Sequence, residues 1–495
     1  DEIDVLAFEL ACMSIGGIYV PLFSGYYPKQ IEYVISHSDP RFVIVSDDNQ
    51  LEKILSTMAT GSIEKYFMLD YPDKYLESSR IFDFSLLYNN NNESLFFERL
   101  EDVKSEDICL LIYTSGGTTG ISKGVPLTHK NVLGQQKALS QVWNITEDDI
   151  ILSYFPWHQS LGIVEKFASL YSGACLALDR TPGIEALPES LKILKPTVYF
   201  GSAKIFQELI HNINENPELE SLFFHENVNF AFASSGPPYA VIEFFKNKNV
   251  PLLQGWGLTE ALQYITVNSK NDKWSLNTSG FPIPGTEIKL LGAENEICIK
   301  GITLMDGYYK DPEKNTKSFI GSSWFKTGDS GQITENGLKI LGRIDSIFYL
   351  KDKTKVYSSY LEQKVENASI FIWFCLIFGE EKEYISALIF PDISKLKTWY
   401  EHKNGYSLPI ADMLDEPEVI NLFKSEIKNI NETEISESKI KKFTLVENEL
   451  TLKAGELTSA MTMIVKKVIE NYSDLIDAFY IDNLPAEFKG RIIQI

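Results

Sequence analysis

The chain has 495 residues, 44% of them apolar and 12% aromatic, with a formal net charge of −22. That length exceeds what one hydrophobic core serves and predicts at least two domains, while the apolar fraction excludes a disordered chain. So large a negative charge argues against nucleic acid as a partner and against electrostatic docking on anionic lipid.

In chain order, residues 5–47 alternate helix and strand. An apolar helix carries Val5, Phe8 and Cys12, GIYVPLF (17–23) is a strand, Tyr27–His37 a helix and RFVIVSD (41–47) a strand. The chain opens at Asp1 within that first helix, so a preceding N-terminal segment is expected, and peripheral membrane contact through it stays open. Asn89–Asn92 is a polar tract suited to an exposed loop.

From Ile108 an apolar run leads into YTSGGTTGISKG (113–124). A strand entering a Gly/Ser/Thr loop with a lysine at its close can surround oxyanions with N–H groups, hydroxyls and one cation. A solvated loop is the plainer alternative. Ser122 precedes Lys123 and Gly124 follows it, so this is not the Gly-Lys-Ser/Thr phosphate loop.

The strands ILSYF and ACLALD, a helix-strand-helix over 188–214, and the buried strands NFAFAS and VPLLQGWG follow. Near 286 the pattern turns to hairpins, EIKLLGAENEICIKG and WFKTGDSGQITENGLKILGR, the second turning at Asn336-Gly337. Beyond Arg343, IFIWFCLIF and YISALIFPD pair through Gly379–Glu383, with helices to the end. The longest apolar run, Ile370–Phe378, is too short to span a bilayer. Cys12, Cys109, Cys175, Cys298 and Cys375 show no C-x-x-C spacing and read as small core residues in a reducing cytoplasm.

Four further segments can carry chemistry. In Gly255-Trp256-Gly257-Leu258-Thr259-Glu260 an aromatic between glycines can stack on a base, and Glu260 can hold a hard cation. Ser235-Gly236-Pro237 is either a plain turn or a wall for that base, and His158 in Phe155–His158 is either packing or a substrate contact. Trp324–Asp329 puts a carboxylate on a tight turn, where it can accept two ribose hydroxyls.

In this order, with Gly342-Arg343-Ile344-Asp345, the segments resemble the acyl-adenylate-forming (AMP-binding) superfamily, and long-chain fatty-acid acyl-CoA synthetases within it. The resemblance covers nearly the whole chain. It implies an α/β multidomain fold. The N-terminal domain would span 1–344, with mixed α/β sheets to about 285 and a small β-barrel-like region to 344, and a smaller mobile α+β domain would span 345–495.

It further implies that Thr114, Ser115, Gly116, Gly117, Thr118, Thr119, Gly120 and Lys123 surround the phosphates of ATP. Ser235, Gly236, Pro237, Gly255, Trp256 and Gly257 would frame adenine, Thr259 reach the α-phosphate and Glu260 bind Mg²⁺. Asp329 would hold the ribose, Arg343 contact the nucleotide, Asp345 act as pivot and His158 lie beside the acyl carboxylate. Lys123, His158, Thr259, Glu260 and Arg343 would carry catalysis, with fatty acid, ATP and coenzyme A as substrates.

The chain departs from the family pattern in functional loops. Gly116-Gly117 has one glycine too many, and Ser122 replaces a proline. The lysine that the C-terminal domain usually delivers falls on Thr462, with Lys466 and Lys467 expected on the next helix. Lys351–Lys355 lacks the usual glycines near Lys353-Thr354. These departures leave two alternatives to an active synthetase: a nucleotide- or acyl-binding pseudoenzyme, and an acyl-AMP ligase serving a separate carrier protein, of which the chain carries no sign.

Overall fold

The strands Val198–Gly201 (VYFG) and Phe230–Ala233 (FAFA) are buried at every position. Such runs mark strands covered on both faces by helices. The computed structural model describes residues 2–89, 92–114, 122–153, 155–178, 187–233, 236–270, 278–321, 323–434, 438–458, 461–481 and 490–495.

The two strands lie in a seven-stranded sheet ordered Phe281–Pro282, Thr266–Val267, Leu252–Trp256, Phe230–Ala233, Val198–Gly201, Ile150–Ser153, Cys175–Leu178. Its interior is parallel, and the Thr266–Val267 edge is antiparallel. Helix Ala203–Glu215 starts at Ser202, whose hydroxyl accepts from the Ile205 N–H at 3.3 Å, and buries Phe206, Leu209 and Ile213. Helix His129–Trp143 starts at a Thr128/Asn131 capping box and ends in the core. There the Trp143 ring lies 5.2 Å from Phe232 and 5.4 Å from Phe200.

A parallel three-stranded sheet (Phe42–Val45, Lys65–Met68, Ile81–Asp83) and the hairpin Ile108–Tyr113/Gly124–Thr128 complete the α/β part. The antiparallel region comprises Thr286–Leu291, Glu296–Gly301, Phe319–Ile320, Trp324–Thr334 and Gly337–Arg343. Beyond it, Ile372–Phe378, Ile385–Pro391, Ile440–Leu445 and Ile493–Gln494 form a sheet of their own. This is the expected mixed α/β fold with a β-rich region and a smaller C-terminal domain. Among the described residues, no helix is long and apolar enough to cross a membrane.

Several local expectations change. GIYVPLF forms only an isolated bridge, Tyr19 with Leu110, since Pro21 has no N–H to extend a ladder. Thr334 pairs with Gly337, so the hairpin turns at Glu335-Asn336, one residue early, closed by the Thr334 hydroxyl donating to the Gly337 carbonyl at 2.8 Å. The C-terminal part does not run as helices to its end. Ile440–Leu445 returns parallel to Ile385–Pro391 and buries Ile440 and Phe443. Cys175 is exposed rather than core.

The C-terminal domain sits against helix Ala203–Glu215. Lys204 Nζ donates to the Trp373 carbonyl at 3.0 Å, Gln207 Nε2 to the Asn367 carbonyl at 2.7 Å, and Lys395 pairs with Glu208. Within the N-terminal domain, Lys166 pairs with Glu9, the side chains 0% and 1% exposed. Burial pulls the Glu9 carboxyl up and the Lys166 ammonium down, each resisted by the other.

Removing one member of such a pair strands a buried charge. Lys166→Met is therefore expected to destabilise the chain by about 3–5 kcal/mol in urea unfolding followed by fluorescence. Adding Glu9→Leu should restore most of that loss; a double variant no more stable than the single would contradict this account.

Candidate active site

The turn after Leu252–Trp256 brings the first functional side chains together. Ile265 N–H donates to the Trp256 carbonyl at 2.9 Å and Gln263 N–H to the Leu258 carbonyl at 3.0 Å, folding Gly257–Gln263 back on the strand end. A Cβ on Gly257 would lie 1.5 Å from the Gln263 carbonyl oxygen, so only glycine fits. Gly255 lies in the strand beside Val267. Leu262 and Gln263 adopt left-handed backbone at φ 52° and 84°, strain at a tight turn.

Within this turn Glu260 is 9% exposed and accepts the Tyr308 hydroxyl at 2.6 Å, while its carbonyl accepts the Met305 N–H at 2.8 Å. Burial and the neighbouring carboxylate push the Tyr308 phenol far up, so Tyr308 stays a donor. Thr259 begins the same one-turn helix, Thr259–Ala261.

Lys123 precedes strand Gly124–Thr128, and its Nζ lies 5.4 Å from the centre of the Tyr308 ring. Burial, then Lys314 beside it, pull its ammonium down, while Glu260 acts in the opposite sense. Thr114 N–H donates to the Lys123 carbonyl at 3.0 Å. Ser115, Gly116, Gly117, Thr118, Thr119 and Gly120 lie outside the described residues, as does Ser235. Pro237 is buried, and the exposed Gly236 accepts Asn367 Nδ2 of the C-terminal domain at 3.2 Å.

The third group is built across a hairpin. Register pairs Asp329 with Arg343, and Arg343 Nη1 donates to Asp329 Oδ1 at 3.1 Å and to the Thr327 carbonyl at 3.0 Å. Gly328, at φ 73°, leaves room for the guanidinium, since a Cβ there would lie 2.8 Å from Arg343 Nη2. Burial pushes the Asp329 carboxyl up, while Arg343 and a hydrogen bond from Trp256 pull it down. Arg343 Nε also reaches Asp345 Oδ1 at 3.5 Å. Arg343 acts electrostatically on both Lys123 and Tyr308.

His158 lies in a different part. Its ring stacks on Phe23 at 4.6 Å, and burial pushes its imidazole down to about 4. The next contact along links it to the turn: the Ser160 hydroxyl bonds Gln263 Oε1.

Thr462 is exposed in a tight turn. Its carbonyl accepts the Thr458 N–H at 2.8 Å, its N–H donates to Thr458 Oγ1 at 3.2 Å, and Met461 is left-handed at φ 58°. Lys466 and Lys467 lie on helix Val465–Asn471, as expected. Lys353 is also left-handed, at φ 72°: the backbone keeps a glycine-favouring shape with a lysine in it. Lys355 Nζ is held by Glu294 Oε2 at 2.5 Å.

Two residues of the site escape sequence reasoning. Tyr308 lies in Gly307–Glu313, a stretch that reads as scaffold, and Lys314 follows it with no motif signal of its own. The local signal is the Asp311-Pro312 start of the helix that carries Lys314.

The chain matches the AMP-binding enzyme family over residues 2–309 and that enzyme's C-terminal domain over 345–483. It is similar to the long-chain-fatty-acid–CoA ligase FadD15 of Mycobacterium bovis, 23% identical over 95% of this chain and 85% of that one. Fatty acyl-CoA synthetase A of Dictyostelium discoideum is 25% identical over 97% and 80%. Long chain acyl-CoA synthetase 1 of Arabidopsis thaliana is 26% identical over 90% and 76%. In fold it is similar to ATP-bound MatB from Rhodopseudomonas palustris, with a TM-score of 0.70 at 20% identity over 96% of this chain and 88% of that one. O-succinylbenzoate coenzyme A synthetase (MenE) from Bacillus subtilis in complex with AMP gives 0.65 at 18% over 94% and 86%. With the family matched over more than half its length, the chain belongs to the AMP-binding enzyme family, the acyl-adenylate-forming superfamily that its motifs resemble.

Proposed function

We propose that the protein is an AMP-forming acyl-CoA synthetase acting on a long-chain fatty acid. The observation that carries this reading is the meeting of Lys123, of Glu260 with Tyr308, and of Arg343 with Asp329 and Trp256. Cations for phosphates, an acid for ribose hydroxyls and an aromatic for a base together suit a nucleotide. The relatives' names support the acid and the thioester product.

A fatty-acid carboxylate oxygen attacks the α-phosphorus of ATP. The bond to the bridging oxygen breaks and its electron pair leaves with pyrophosphate, giving acyl-AMP. The coenzyme A sulfur, its proton lost, then attacks the acyl carbonyl, and AMP departs with the electron pair of the broken C–O bond. Lys123 and Arg343 would lower the energy of charge building on phosphate oxygens. Thr259 would bind the α-phosphate, Asp329 the ribose, and Gly255–Gly257 with Gly236-Pro237 the adenine. His158, neutral above about pH 4, would sit beside the acid without pairing with its charge.

Mg²⁺ fits the donors present. Glu260 offers a buried carboxylate with one oxygen already oriented by Tyr308, and among the described residues no group of three or more His, Cys, Asp or Glu could hold a metal. One protein carboxylate beside substrate phosphates suits a hard cation that keeps water and phosphate as its other ligands. Bound there, it would neutralise phosphate charge. We also place the domain boundary at Ile344-Asp345, where pairing of Gly337–Arg343 with Trp324–Thr334 ends.

A second reading, a pseudoenzyme that binds without efficient adenylation, is favoured by the uncharged Thr462 at the position where the family resemblance implies a lysine. Pyrophosphate release with a panel of fatty acids separates the two. The synthetase should release it with at least one acid; ATP binding with no release from any acid would sink the ligase reading. Thr462→Lys is expected to raise the adenylation rate at least about tenfold, below the ~10²–10³ attributed to one preorganised charge contact. An unchanged rate would show that position 462 does not face the reacting phosphate.

His158 gives a pH test. Its folded-state value near 4 lies below the ordinary ~6.5, so the folded chain binds fewer protons between the two. The resulting stability is fully present above about pH 6.5 and is lost as pH falls towards 4. An NMR titration of the His158 ring, assigned with His158→Gln, should show neutral imidazole at pH 6. A midpoint near 6.5 would contradict the burial argument.

A further inference from the structure

Lys314 is fixed at the backbone beside the residues already described. It occupies the first turn of helix Pro312–Ser318, where its N–H donates to Asp311 Oδ1 at 3.0 Å. The neighbouring Asn315 clamps Tyr308, accepting its N–H at 2.6 Å and donating to its carbonyl at 3.1 Å. The helix and the Tyr308 backbone are thus tied together. Lys314 Nζ lies 5.8 Å from the Tyr308 ring centre, and Lys123 Nζ lies 5.4 Å from the same centre.

The two ammonium groups sit side by side. Among the described residues neither forms an ion pair with a carboxylate within 4.0 Å, although the chain as a whole carries a net charge of −22. Glu260, the acid that acts on Lys123, is already engaged by Tyr308. Adjacent like charges cost free energy: after burial, Lys314 is the next cause that pulls the Lys123 ammonium down, and an anion between the two would reverse the sign of that cost. Arg343, itself paired with Asp329 and Asp345, also acts electrostatically on Lys123. An anion recognised by several converging cations carries several negative oxygens, as a di- or triphosphate does.

We propose that Lys314 is a second phosphate-binding lysine, which with Lys123 grips the β- and γ-phosphate oxygens of ATP and holds pyrophosphate as it leaves. The inference rests on the nucleotide reading of this site. When the acid's oxygen bonds to the α-phosphorus, the bridging P–O bond breaks and its electron pair adds negative charge to the departing pyrophosphate. Two ammonium groups placed there stabilise that charge where it grows. They do so from the N-terminal domain, whatever the position of Thr462.

The test compares the intact chain with Lys314→Met and Lys314→Arg, titrating ATP, pyrophosphate and AMP calorimetrically. Lys314→Met should weaken ATP and pyrophosphate binding at least about tenfold and leave AMP within about twofold, and Lys314→Arg should keep most of the affinity. Unchanged ATP and pyrophosphate binding in Lys314→Met would overturn the proposal. So would an equal loss for AMP, because the lysine would then act through the fold. If the unsubstituted chain binds none of the three, the nucleotide reading and this inference fall together. If it binds ATP in a Lys314-dependent way but releases no pyrophosphate with any acid, the inference stands and the synthetase reading falls.

Discussion

Arg343 holds the site and the domain junction in one network. Its guanidinium is bound by Asp329, the Thr327 carbonyl and Asp345, and its backbone N–H donates to Ser359 Oγ at 2.9 Å. The side chain is half exposed, so the ion pairs by themselves contribute little stability. Their value is positional. The guanidinium aligns the end of one hairpin strand with the turn of the other, and the same Asp329 receives the Trp256 indole from a different sheet. The β-rich region, the parallel sheet and the first residues of the C-terminal domain therefore share one fixed point. Gly328 is the steric condition for it, since a side chain there would displace the guanidinium.

Around that point the charge distribution runs against the chain's overall balance. A net charge of −22 repels polyanions from most of the surface. Lys123 and Lys314 depart from that balance, for among the described residues neither is in an ion pair, and Lys123 lies in a partly buried setting where Coulomb interactions are less screened than at the surface. Such contrast favours one anionic ligand at one place. The buried Glu9–Lys166 pair differs, for both its charges are internally matched and offer nothing to a ligand.

Much of this was legible in the chain because it is local. Apolar runs such as NFAFAS gave buried strands. Short turns placed Trp256 near Glu260 and Asp329 near Arg343. Other features were not local. Tyr308 meets Glu260 across 48 positions, and Ser160 meets Gln263 across 103, so no window on the sequence contains either pair. The hairpin turn at Glu335-Asn336 was misplaced because Asn-Gly is a strong turn signal, whereas strand register set by the neighbouring sheet decided the pairing.

The sequence by itself determined most of the order of helices and strands and the family pattern of motifs. These follow from side-chain identity and short-range backbone preference. Only the tertiary structure decided that Tyr308 orients Glu260, that Lys314 stands beside Lys123, and that Lys353 keeps a backbone shape suited to glycine. The reason is physical. Burial and propensity act along the chain, whereas hydrogen bonds and Coulomb interactions depend on distances that exist only once distant segments have packed.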